Sequence, residues 1–125
     1  MKIRVYYEDT DVGGVVYHSN YLNYCERARS EAFYEKSVTP VLENGHFVAR
    51  HIDASFVASA KLGDLLSVET KLLSMKAASF ILEQEVLREG DLLFKMKITL
   101  AFINFDGKPQ KIDKKTKELL LSLFP

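Results

Sequence analysis

The chain has 125 residues, enough for one domain with a sizeable core and too few for a second, so one fold over residues 1–125 is expected to supply every function. Seventeen basic and seventeen acidic side chains cancel, and no run of Lys or Arg builds a local field, which argues against nucleic acid as a partner. Cys25 is the only cysteine, which excludes an internal disulfide. The start "MKIRVYYEDTD" meets charge within four residues, and no apolar run reaches the ~18 residues of a membrane span, so a soluble cytoplasmic protein is expected.

Residues 2–7, "KIRVYY", alternate as a strand does and deliver the chain into a polar loop. From Asn20 the period changes. Tyr21, Tyr24, Cys25, Ala28 and Ala32 fall on one stripe and Asn23, Glu26, Arg27, Ser30 and Glu31 on the other, which predicts an amphipathic helix of about four turns. Ser19 or Asn20 is placed to cap its start, and "SVTP" at 37–40 is placed to stop it. After Gly45 four long strands are expected, "HFVARHIDASFVA", "LLSVETKLLSM", "ASFILEQEVLRE" and "LLFKMKITLAFIN", parted by "KLGD", "KA" and "GD" turns. His46 and His51 read as strand residues. In the last strand Phe94, Met96, Ile98, Leu100 and Phe102 share one face, with Lys95, Lys97 and Thr99 on the other. "DKKTKELLLSLF" reads as a C-terminal helix capped by Asp113. The order β-α-β-β-β-β-α with short strand connections predicts an α+β fold, an antiparallel sheet curled around the long helix.

The loop "YYEDTDVGGVVYHSNY", residues 6–21, holds Glu8, Asp9, Asp11, two glycines and His18. An EF-hand starting at Asp9 would need a bidentate carboxylate where Asn20 stands, so calcium fails. A phosphoaspartyl phosphatase also opens on Asp-x-Asp after a strand, but that chemistry sits on an alternating β/α sheet. A transition-metal set of Asp9, Asp11 and His18 lacks a supporting His-x-x-x-His or His-x-x-Glu pair, and no metal is expected. The remaining reading is a carboxylate that attacks a carbonyl, or activates water to do so, beside a helix N-terminus. Gly13 and Gly14 allow close backbone approach, and Val16 to His18 lead into a helix whose first N–H groups lack intrahelical acceptors. Such donors stabilise the oxyanion of a tetrahedral transition state.

The run "YxDTDxxGVVYHxNYLxYxERAR", Tyr7 to Arg29, resembles the signature of the 4-hydroxybenzoyl-CoA thioesterase-like group of hotdog-fold acyl-CoA thioesterases, its YbgC-like branch in particular. The resemblance implies a hotdog fold, assembly as a homodimer or homotetramer with sites between subunits, an acyl-CoA substrate and no separate cofactor, coenzyme A being part of the substrate. It places the catalytic carboxylate at Asp11, with Tyr7 and His18 at positions used for substrate placement. For Asp11 the plain alternative is a turn carboxylate holding backbone amides, and for Asp9 that alternative is favoured. For Tyr7 it is a core aromatic, for His18 a polar residue at a helix start. Gly14, Val16 and Tyr17 are expected to line the substrate, with Gly14 admitting no side chain beside it. Lys61 and Lys76, both at strand turns, are candidates for the coenzyme A phosphates, against the reading of each as a solvated lysine. Cys25 on the apolar stripe reads as a core residue, and Glu26, Arg27 and Arg29 as structural or subunit contacts.

Acyl-CoA hydrolysis is thus the leading expectation. A non-catalytic acyl-CoA or acyl-carrier-protein binding module is the second, told apart by binding without turnover. A hotdog dehydratase is the third, and would need a differently placed His and acid.

Overall fold

A computed structural model describes residues 1–125. Six strands form one antiparallel sheet in the order β1-β4-β5-β6-β3-β2: β1 Lys2–Arg4, β2 Val41–Leu42, β3 Gly45–Phe56, β4 Leu65–Met75, β5 Ser79–Arg88 and β6 Asp91–Ile103. Helices α1, His18–Glu35, and α2, Lys114–Leu123, complete it. The alternation read in the last strand holds: Phe94, Met96, Ile98, Leu100 and Phe102 are all buried. Leu66, Val68, Phe80, Leu82 and Val86 join them from β4 and β5, against Tyr21, Tyr24, Cys25 and Ala28 of α1. The sheet's inner face and the helix stripe bury each other, the architecture of a hotdog fold.

Gln84 ties the helix to the sheet at mid-core. It is wholly buried on β5; its amide nitrogen donates to the Cys25 carbonyl at 2.9 Å and to Thr70 Oγ1 at 3.0 Å, and its oxygen accepts from Arg29 Nη1 at 2.9 Å. At the far end of the core α2 closes the sheet with Leu120 and Phe124, the latter 6.3 Å from the Phe33 ring. Asp113 caps α2 as expected, accepting from Thr116 N at 2.8 Å.

Three local expectations need correction. The first strand stops at Arg4, because Tyr7–Asp9 coil into a 3-10 turn around the Asp9 carboxylate, which accepts from Tyr6 N at 2.8 Å. The long helix starts at His18 with Tyr17 at the N-cap and no side-chain cap, so neither Ser19 nor Asn20 caps it. It ends at Glu35, before "SVTP" begins, and the residue that stops it is Ser37 and not Pro40. Ser37 takes a left-handed φ of 58°, Ser37 N donates to Tyr34 O and Val38 N to Phe33 O, a Schellman stop with serine where glycine is usual.

Candidate active site

The loop after the 3-10 turn folds as a small hairpin. Asp11 N donates to Val15 O at 2.9 Å and Gly14 N to Asp11 O at 3.0 Å, while Val16 N reaches Ala60 O at 2.9 Å, so the tip is stapled to the segment leading into β4. Gly14 turns the chain at φ +77°, and a Cβ there would meet nothing within 4 Å. Its glycine is thus demanded by backbone conformation rather than by the crowding expected from the sequence. At Gly13, by contrast, a Cβ would lie 3.1 Å from Asp11 Oδ1. Asp11 Oδ1 accepts from Gly13 N at 2.8 Å, an Asx turn that aims the carboxylate outward. The other oxygen, Oδ2, accepts from no protein donor.

Asp9 and Asp11 divide the work. Asp9 is buried and holds the loop, as the sequence favoured. Its carbonyl accepts from both Tyr17 N and Asn20 Nδ2, each at 2.9 Å. Beneath it the Tyr24 hydroxyl is buried with no hydrogen-bond partner within 3.5 Å. Burial first, then the nearby Asp9 carboxylate, push that phenol well above its usual range. Asn20, read as a cap, is therefore spent on Asp9. With Tyr17 O taking Asn20 N at 2.8 Å, the amides of His18 and Ser19 donate to no acceptor in the protein. Two N–H groups at the positive end of an 18-residue helix stand free.

Asp11 stands between two hollows. One, of about 330 Å³, is lined by Asp11, Val15, Val16, His18, Tyr21 and Phe56, with Val57 to Ser59 at its rim. The other, broader, is lined by Tyr7, Thr10, Asp11, Val12, Gly14 and Leu62. His18 and Tyr7 each share a hollow with Asp11 but not with each other. Tyr7 is 85% exposed, which removes the core-aromatic reading. Val16 is buried, whereas the exposed Tyr17 lies outside both hollows with its ring 4.4 Å from the imidazole of His18.

The two lysines part company. Lys61 pairs with Val15 across an isolated bridge, next to the Asp11 loop. Its turn is held by Asp64, whose carboxylate accepts from Lys61 N at 2.8 Å and pairs with Arg88 at 2.7 Å. Those two contacts, the Lys61 amide foremost, hold the Asp64 carboxyl below the usual range. Lys76 lies beyond the other end of β4, roughly 35 Å along an 11-residue strand. One copy of the chain therefore does not bring it beside its own Asp11.

Cys25 is wholly buried, and burial pushes its thiol up to about 12, with Arg29 opposing that shift more weakly. The folded protein is expected to resist an aromatic disulfide reagent at about pH 8 and to react only once unfolded. Labelling at the rate of a free cysteine would contradict this core placement.

Sequence reasoning missed Phe56, which it took only as a strand residue, and the second role of Asn20. Neither carries a local signal, since both act through contacts with distant segments.

Comparison with known proteins identifies the family. Residues 13–95 match the model of the thioesterase superfamily. The acyl-CoA thioesterase YbgC of Helicobacter pylori is 43% identical over 96% of this chain and 98% of its own length. That of Haemophilus influenzae is 39% identical over 92% and 88%. The crystal structure of a probable thioesterase from Bartonella henselae superposes with a TM-score of 0.85, at 33% identity over 90% of this chain and 97% of that one. The chain thus belongs to the thioesterase superfamily, among the YbgC acyl-CoA thioesterases.

Proposed function

We propose that Asp11 drives hydrolysis of an acyl-CoA thioester whose carbonyl oxygen is held by the free amides of His18 and Ser19. The observation that carries the reading is the pairing of those unspent donors with a carboxylate that lines the same hollow as His18 and keeps one oxygen free. In the reaction the carbonyl gains an oxygen, from Asp11 itself or from water that Asp11 deprotonates. The C–S bond then breaks and the thiolate takes a proton to leave as coenzyme A; on the water route the carboxylic acid is released directly, and on the Asp11 route a water hydrolyses the acyl–Asp11 anhydride, releasing the acid and restoring the carboxylate. Negative charge builds on the carbonyl oxygen, where N–H groups and the helix dipole stabilise it. Gly14 and Val16 shape the backbone beside the reacting group, and Lys61, paired with Val15 beside the Asp11 loop, serves a coenzyme A phosphate. Tyr7 meets the substrate from the second hollow. Tyr17 acts through its tilted ring contact with His18.

Assembly follows from β3. Its partner on one side is β6 throughout, but on the other β2 covers only Gly45 and His46. The rest of that edge is an unpaired row of backbone donors and acceptors beside Ile52 and Phe56, both more than a third exposed. A second copy adding antiparallel along it would satisfy the row, and would offer Lys76 to a site other than its own. Light scattering after gel filtration should give at least twice the mass of one chain at micromolar concentration; a monomer would overturn the assembly. No helix is long and apolar enough to cross a membrane, and a lone free thiol fits the reducing cytoplasm, where we place the chain.

The purified protein, given a panel of acyl-CoAs and a reagent for released thiol, should turn over at least one of them. Binding without turnover, or handing-on of an acyl carrier protein, would replace the enzyme reading with that of a binding module.

A further inference from the structure

Phe56 ends β3 as a large apolar side chain left 55% exposed, although three other rings surround it. Its ring lies 5.1 Å from that of Phe94, its cross-strand partner in β6, and 5.8 Å from Tyr21 at 73°. It also meets His18 at 6.4 Å and 84°, an edge-on contact of the kind aromatic rings prefer. The part of the ring not covered by these neighbours lines the 330 Å³ hollow that holds Asp11. The other walls mix apolar side chains with exposed polar backbone and side-chain atoms. Val15, Val16 and Val57 carry no polar side-chain atoms, and the Tyr21 hydroxyl is already engaged by Ala60 N at 3.0 Å. Asp11, His18, Tyr21 and Ser59 bring the polar side chains.

Resting on the reading of Asp11 given above, we infer that Phe56 sets the size of the acyl group the enzyme accepts, as the fixed end wall of a pocket for compact acyl groups. A cavity of about 150 Å³ holds a benzene ring, so the hollow has room for a short or monocyclic acyl group next to the reacting carbon. Anything longer must pass the Phe56 ring. The ring is fixed on two sides by Phe94 and Tyr21, so it cannot yield freely, and a charged acyl group would meet no complementary cation among the lining residues.

The test is kcat and KM for acetyl-, hexanoyl- and benzoyl-CoA with wild type, Phe56→Ala, Phe56→Leu and Phe56→Trp. Phe56→Ala should raise kcat/KM for hexanoyl-CoA relative to acetyl- and benzoyl-CoA by about tenfold, the low end of what one methylene is worth in a binding pocket. Phe56→Trp should move the same ratio the opposite way, with Phe56→Leu between. A residue that only supports the fold would lower all three substrates together. Equal ratios in all variants would overturn the inference while leaving the reading of Asp11 standing. A wild type that hydrolyses none of the three, or others in a wider panel, would overturn that reading and this inference with it. Should Phe56→Ala fail to fold, the opposed Leu and Trp shifts decide.

Discussion

Asp11→Asn should lower kcat for the best acyl-CoA by about a hundredfold or more, with the fold and the thermal midpoint nearly unchanged. The expectation rests on separating two jobs that the carboxylate does. Asp11 Oδ1 holds the loop by accepting from Gly13 N at 2.8 Å, and an asparagine carbonyl oxygen can keep that bond. What asparagine lacks is the charge and basicity of Oδ2, the oxygen that no protein donor occupies. Asp11→Ala removes both functions. It should lose the same activity and, in addition, roughly 1 kcal/mol of local stability for the turn bond. If loop order were all that Asp11 supplied, the amide variant would stay active and the alanine variant would not. Single-turnover measurement of thiol release, with circular dichroism as a check on folding, separates these outcomes. An Asp11→Asn protein as fast as wild type would end the assignment of Asp11 as nucleophile or base. Because the side chain is exposed, neither variant disturbs buried neighbours.

The element order was legible because it is written in local periods. The stripe Tyr21, Tyr24, Cys25, Ala28 and the alternation from Phe94 to Phe102 each repeat at one spacing, and burial follows both. The loop was legible for a different reason, its dense and specific motif. Helix ends were less so. Asn20 has the side chain of a good cap, yet the Asp9 carbonyl, delivered by a separate 3-10 turn, competes for its amide and wins. That contest is not visible in the neighbouring residues, and its outcome is what leaves the His18 and Ser19 amides free. The lysines show the same limit at longer range. Lys61 and Lys76 look alike as turn residues, but antiparallel pairing of β4 sends one toward Asp11 and the other to the opposite end of the sheet. Gln84 shares the alternating face of Leu82 and Val86, against Glu83 and Glu85, so its register is legible; what the sequence does not show is that Arg29, Thr70 and the Cys25 carbonyl meet it there.

That glutamine carries the second large effect. Gln84→Leu should destabilise the protein by about 3 kcal/mol, although leucine fills nearly the same space and is the better match for a core. The cost comes from the partners left behind. Arg29 loses the only hydrogen bond its guanidinium makes within the protein, and neither ion pair of the molecule involves it. Burial already pushes its pKa down, the mark of a cation poorly compensated for lost water. The Thr70 hydroxyl and the second lone pair of the Cys25 carbonyl lose their donor as well. Urea unfolding should show a lower midpoint at an unchanged slope, because the same surface is exposed on unfolding. The decisive companion is Arg29→Met with Gln84→Leu. Taking the cation and its acceptor away together leaves no unpaired charge, so the double variant should be more stable than the sum of the two single changes by at least about 1 kcal/mol. Additive losses, or a Gln84→Leu protein within about 0.5 kcal/mol of wild type, would mean that α1 is held to β4 and β5 by apolar packing alone. The helix start beside Asp11 would then owe its position to the Asp9 contacts rather than to this buried tie.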